Sequence, residues 1–193
     1  ARKAVALSKG EEPKTFDGFD MSAAEIDSLV NEATKNLAPT QKYMRALYTG
    51  GTLCDESMKY LLPTCKRIFS NIPLQDNDKL ENKDISREHT ALDFGDDEFT
   101  VGRPHPMIDP SLRAERVLKE AGDKTCAVIL VDCVIGYGSE GRDVIVVASV
   151  CGTEGDPQGL SKTRETLKAA GAIVMPTNAQ ACRLVKKIIE KVA

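Results

Sequence analysis

Three short stretches carry the residue types from which a reaction could be built. "TGGT" (Thr49 to Thr52) joins an apolar run to a helical pattern. Two glycines and a threonine at such a junction let backbone amides face an anion at the positive end of a helix. "VGRPHPMID" fixes His105 between Pro104 and Pro106, which suits a positioned polar contact as well as a rigid loop residue bonded to a backbone carbonyl. "VCGTEGDPQG" follows an apolar run and brings Cys151, Thr153, Glu154, Asp156 and Gln158 within eight residues. The candidates for catalysis are His105 and Cys151. The candidates for holding an anion or phosphate are Gly50, Gly51, Thr52, Gly136, Gly138, Gly152 and Thr153.

Each candidate has a plainer reading. Gly50 and Gly51 can serve only a turn, with Thr52 as a cap, and a thiol beside an apolar strand is by default buried, Cys151 included. Cys54 packs or lines a pocket; a helix start would lower its pKa and make it a nucleophile, but no histidine partner is identifiable. Asp55 and Glu56 fall in the first turn, where they compete with a bound anion unless Arg103 or Lys59 joins the site. Asp96, Asp97 and Glu98 read as a solvated loop, since a Mg²⁺ there would need a substrate phosphate to complete its shell, and no metal site is expected. His89 reads as a surface or loop residue.

The elements that would position these residues alternate. The spacing predicts a short strand at 3–8, then a helix over 21–37 with Ser22 and Glu25 as a capping box and Ile26, Leu29, Val30, Ala33 and Leu37 on one face. A strand at 44–48 and a helix from about Cys54 to Phe69 follow, then a polar loop and a strand in "TALDF". Pro110 starts a helix through Leu118. "CAVILVD" and "DVIVVASV" are continuous apolar runs, as in strands buried on both faces of a parallel sheet. A helix over 161–170, the strand "AIVMP" and a helix over 178–192, with Asn178 as cap, close the chain. The fold class is α/β: a flavodoxin-like, doubly wound, mostly parallel sheet with helices on both faces. In such sheets ligands bind beyond the carboxyl ends of the strands, where all three chemical stretches fall. One connection resists this scheme. Only "CVIGYGSEGRD" separates the strands at 126–132 and 144–150, and parallel neighbours ordinarily need a longer crossover. Either these strands are not sequential neighbours or part of the chain between them is absent from this sequence; the second reading is preferred.

Composition excludes several classes. A net charge of −3 gives no nucleic-acid or polybasic membrane footprint. The apolar runs are too short to span a bilayer, and no apolar h-region opens the chain. Six cysteines without a C-x-x-C suit reduced thiols in the cytosol rather than a disulfide framework, so a cytoplasmic location is expected.

"RALYTGGTLCDESMKYL", "TVGRPHPMIDPSLRAERVLKEAGDKTCAVILVDCVIGYG" and the block from "VIVVASVCGTEGDPQG" to "RLVKKI" resemble, in order, segments of the second domain of the succinyl-CoA synthetase alpha subunit. "LYTGGTLCDE", "LDFGDDEFTVGRPHPMID" and "ASVCGTEGDPQ" resemble the FdrA family of acyl-CoA synthetase-like proteins more closely. The resemblance covers about Tyr43 to Val192. It implies that residues 39–193 form a succinyl-CoA synthetase-like ligase domain and that residues 1–38 are the end of a preceding domain or a linker. It implies an enzyme part, a ligase or transferase handling a small acyl, carbamoyl or phosphate substrate, with no cofactor in this domain and CoA or a nucleotide held elsewhere in a longer protein. A homo-oligomer or a partner subunit is expected, through the strand-end face or an adjoining helix. The synthetase's phosphorylated histidine, in "G-H-A-G-A", has no counterpart in "VCGTEGDPQG". The glutamate that supports it falls at about Val134, two residues from Asp132. This departure favours a role in oxamate carbamoyl transfer during allantoin breakdown over an ordinary CoA ligase. The alternative is a non-catalytic binding or assembly module.

Overall fold

The computed structural model describes residues 7–12, 21–133, 144–156 and 158–192. Helix α1 (Ala23–Thr34) starts at the predicted capping box: Ser22 accepts from the Glu25 amide, and the Glu25 carboxylate accepts from the Ser22 amide at 2.8 Å. Then come β1 (Tyr43–Tyr48), α2 (Gly51–Cys65), β2 (Phe69–Ser70), a 3₁₀ turn (Asp76–Asp78), β3 (Thr90–Asp93) and α3 (Asp97–Thr100). They are followed by α4 (Ser111–Ala121), β4 (Cys126–Cys133), β5 (Ile145–Val150), α5 (Leu160–Ala169), β6 (Ile173–Met175) and α6 (Asn178–Val192). The six strands form one parallel sheet in the order β2-β3-β1-β4-β5-β6.

Alternation along each strand builds two cores. Met44, Ala46, Tyr48, Val128, Leu130 and Val147 face α1, α2 and α6; Leu47, Leu92, Ile129, Val131 and Ala148 face α4 and α5. β4 is buried along its whole length, which explains its unbroken apolar sequence. Ile26 and Val30 of α1 belong to the same cluster as β1 and α6. The chain turns outward from β1 to β2, returns through β3 beside β1, and then passes to β4 on the other flank. The reversal lies at β1, so its carboxyl end is a topological switch point.

Several boundaries differ from expectation. Leu7 and Ser8 are helical rather than extended, and the remainder of that expected strand lies outside the described residues. α2 begins three residues early, on Gly51. It ends at Cys65 because Pro63 lies in the last turn and Lys66 takes a positive φ of 63°; Ile68 and Phe69, expected in the helix, instead lead into β2. Asn178 does not cap α6. The Thr177 hydroxyl accepts from the Gln180 amide, while Asn178 bridges the Tyr48 hydroxyl and the Glu56 carboxylate. β4 and β5 are adjacent and parallel from Val128↔Ile145 to Cys133↔Val150, which removes the alternative that they are not sequential neighbours and leaves the preferred reading standing.

The amino end of the sheet is held by buried charge. Arg45 reaches Glu120 at 2.8 Å and Asp123 at 2.7 Å, and Arg116 also pairs with Glu120. His89, expected as a surface or loop residue, lies in the loop before β3 and is half-buried there: its Nδ1 accepts from the Met44 amide at 3.2 Å, and its ring meets Tyr43 edge-on at 5.3 Å. Burial, reinforced by the Arg45 charge, pushes its pKa down to about 4. The folded state therefore favours neutral His89. Its contribution is complete above the unfolded value of about 6.5 and is lost as the pH falls toward 4. Urea unfolding midpoints measured from pH 7 to pH 5 should fall more steeply in the parent than in a His89→Gln variant; parallel pH profiles would contradict this.

Candidate functional site

The site is built from the ends of β1, β3 and β4. Each apolar strand closes on a polar residue: Thr49 just past β1, Asp93 on β3, Asp132 on β4, all three buried. Asp132 is fully engaged. It accepts from the Thr49 amide at 3.0 Å, from the Thr49 hydroxyl, and from Arg113 Nη1 at 2.7 Å. Arg113 comes from the first turn of α4 and also donates to the Asp132 carbonyl. This pair fixes the ends of β1 and β4 relative to each other and to α4.

Asp93 is held differently. Its backbone is clamped from β2's side, with Asn71 donating to its carbonyl and accepting from its amide, each at 3.0 Å. Its Oδ1 accepts from the Gly95 amide at 2.8 Å. No described cation pairs with it. Burial raises its pKa above the usual aspartate range; the Gly95 bond opposes this, the neighbouring Asp96 and Asp132 charges add to it, and His105 lowers it.

Two glycines make room around that carboxylate. A Cβ on Gly51, the first residue of α2, would lie 3.1 Å from Asp93 Oδ2. A Cβ on Gly95 would lie 2.8 Å from the Thr49 carbonyl oxygen, 2.9 Å from His105 Nε2 and 3.1 Å from Asp93 Oδ1. His105 thus returns from a loop ten residues beyond Gly95 to the same strand ends. The flanking Pro106 is buried, and the His105 carbonyl accepts from the amides of Ile108 and Asp109 at 2.8 and 3.0 Å.

The "TGGT" turn is arranged around backbone. Gly50 is the N-cap of α2 and has no side chain to offer; Thr52 lies inside the helix and does not cap it, and Asp55 and Glu56 lie beyond the first turn. Among the described residues, nothing accepts from the amides of Gly51, Thr52 or Leu53. Lys59 is paired with Asp55, away from the helix start. Arg103 lines a cavity with Phe94, Phe99, Pro104, Pro106, Asp109 and Leu112. Cys54 is fully buried, and that burial, with Asp93, Asp132 and Asp55 nearby, pushes its thiol well up. It therefore packs, and the nucleophile reading is ruled against by the same carboxylates.

The loop after β5 is exposed, Cys151 included, contrary to its expected burial; the other five cysteines are buried. Its donors meet the chain's own carboxylates. Thr153 donates its amide to Asp156, whose Oδ2 lies 3.0 Å from where a Gly152 Cβ would be. Ser161, in the first turn of α5, donates its amide to Glu154 at 3.1 Å. The Asp96 side chain accepts from the Glu98 amide at 3.0 Å and so caps α3, so the acidic run is a helix start rather than an open loop. Gly136 and Gly138 lie outside the described residues. No cluster of His, Cys, Asp and Glu among the described residues is arranged to hold a metal ion.

Comparison with known proteins adds the family. A family model for CoA-ligase matches residues 47–144 and 139–188. The chain belongs to the CoA-ligase family. The two matches overlap in the short connection between β4 and β5. The uncharacterized protein YahF of Escherichia coli (strain K12) is 37% identical over 214 residues, spanning 99% of this chain. This chain covers 40% of that relative's length. An alignment of 214 positions exceeds the 193 residues here by 21, so the relative has residues within the matched region that this CoA-ligase chain lacks. No described helix is long and apolar enough to cross a membrane.

Of the residues expected at the site, Gly51 lies beside Asp93 Oδ2 and His105 on the Gly95 side of the same carboxylate, whereas Cys151, Gly152 and Thr153 lie on the loop after β5. Thr49, Asp93 and Arg113 join the site without having been candidates. A lone aspartate closing a buried strand, in "TALDF" as in "AVILVDC", is the signal that finds Asp93. Asn keeps the Gly95 bond without the unpaired charge, so Asp93→Asn should raise the urea midpoint at pH 7. Asp132→Asn leaves Arg113 buried without its partner and should cost about 3–5 kcal/mol. Equal effects of both substitutions on unfolding would contradict the different roles assigned to the two carboxylates.

Proposed function

We propose that this CoA-ligase-family domain handles an acyl or carbamoyl group joined to phosphate, held at the carboxyl ends of β1, β3 and β4, without a phosphohistidine. One observation carries the reading: the first-turn amides of α2 have no acceptor among the described residues, at the point where Asp93, His105 and the Asp132–Thr49 pair converge. The carbonyl part would lie beside Asp93 and His105, and the anionic part against the Gly51 and Thr52 amides, where the helix dipole favours negative charge. FdrA-like chemistry, including oxamate carbamoyl transfer, fits this division.

CoA and nucleotide fit these loops poorly. The donors after β5 that would receive a phosphate are taken by Asp156 and Glu154, and no step of this reading passes through either group. The same self-occupied loop supports a second reading, a binding or assembly module that kept the fold. A second copy or a partner subunit at the strand-end face suits both readings.

The intact protein with its partners should turn over carbamoyl phosphate with oxamate in preference to CoA with succinate and ATP, and labelled ATP should leave no acid-labile phosphohistidine on this domain. Gly51→Val should reduce that turnover at least a hundredfold while circular dichroism shows the sheet intact. Unchanged turnover would reduce the glycines to a turn, and absence of any turnover would favour the assembly module.

A further inference from the structure

We propose that Asp93 and His105 divide the work of carbonyl chemistry at this site, Asp93 as the base and His105 as a hydrogen-bond donor to the carbonyl oxygen. The inference rests on the functional reading above and assigns the two side chains their roles.

The tautomer of His105 decides its part. Its Nδ1 accepts from the Met107 amide at 3.2 Å, so in the neutral ring the proton sits on Nε2. Nε2 points to the strand ends, where it and Asp93 Oδ1 both lie about 3 Å from the place a Gly95 Cβ would take, and so within about 6 Å of each other. Among the described residues, nothing accepts from Nε2. A protonated Nε2 has no lone pair with which to attack phosphorus or take a proton; it can only donate. Asp93 is the complementary group. Its Oδ1 is bonded to Gly95, its Oδ2 faces the start of α2, and it has no cation partner.

The step that this arrangement fits is addition of an N–H, O–H or S–H nucleophile to a carbonyl carbon. The nucleophile's lone pair forms the new bond to carbon. The C=O π pair moves to oxygen, where the Nε2–H bond stabilises the charge. The nucleophile's proton passes to Asp93. The oxygen pair then returns to carbon, the C–O bond to phosphate breaks, and the phosphate leaves with that electron pair against the Gly51 and Thr52 amides; His105 keeps its own proton throughout. The groups around the pair are Asp96 and Asp132, which oppose negative charge on Asp93, and the Thr49 carbonyl, which accepts only.

The test has two arms. The chain contains two histidines, so nitrogen-15 NMR of histidine-labelled protein, with signals assigned by their loss in His105→Gln, reads the His105 tautomer without any substrate. In the neutral ring, protonation on Nε2 is expected; a neutral ring protonated on Nδ1 would overturn the assignment whatever the substrate proves to be. In the turnover assay of the intact protein, His105→Ala should lose about a hundredfold in kcat. His105→Gln, whose amide nitrogen can donate from nearly the same place, should recover about tenfold of that. Asp93→Asn should lose at least a hundredfold. Equal losses for Ala and Gln at position 105 would contradict the donor role. A correct tautomer with no acyl or carbamoyl turnover in the parent would instead count against the functional reading alone.

Discussion

The buried pair of Arg113 and Asp132 is the constraint on which the site depends. A carboxylate and a guanidinium removed from water are tolerated only when each is fully bonded, and here the remaining bonds go to the backbone and hydroxyl of Thr49 and to strand carbonyls. Satisfying the charges therefore fixes the first turn of α4 against the ends of β1 and β4. At the other end of α4, Arg116 and Glu120 tie into Arg45 on β1. One helix thus carries a buried ion pair at each end, and together they hold the switch point rigid. Rigid strand ends are what a site needs if its groups are to stay within a fraction of an ångström of useful positions.

Against that frame of satisfied charges, Asp93 is the exception. Helix starts and glycine loops expose backbone donors, and this chain fills most of them itself: Glu25 at α1, Asp96 at α3, Glu154 at α5, Asp156 beside Gly152. At α2 the cap is a glycine, the amides have no described acceptor, and the nearest carboxylate is one that burial makes reluctant to ionise. Perturbed titratable groups at strand ends are candidates for chemistry.

The fold was legible because parallel strands buried on both faces leave unbroken apolar runs, as in β4, and because Ser22 and Glu25 mark a helix start unambiguously. β2 was not legible: two residues carry no period, and Ile68 and Phe69 continue the apolar face of the preceding helix. The start of α2 was misplaced because its cap is a glycine, which gives no side-chain signal. The site was only half legible. Its parts, Thr49 and Gly51 of one turn with Asp93, His105, Arg113 and Asp132, come from five places in the chain, and only folding brings them together. Cys54 packs, as one reading of its position had it; the burial that settles this is set by β1, α2 and α6 together and has no local signal.

Amide chemical-shift mapping of the protein with carbamoyl phosphate and with oxamate tests the placement of the site most directly. Saturable shifts centred on Gly51, Thr52, Gly95 and Met107, and weakened by Gly51→Val, are the predicted result. Shifts centred on Thr153 and Ser161, or on Met44 and His89 at the opposite end of the sheet, with Gly51 and Gly95 unmoved, would contradict it.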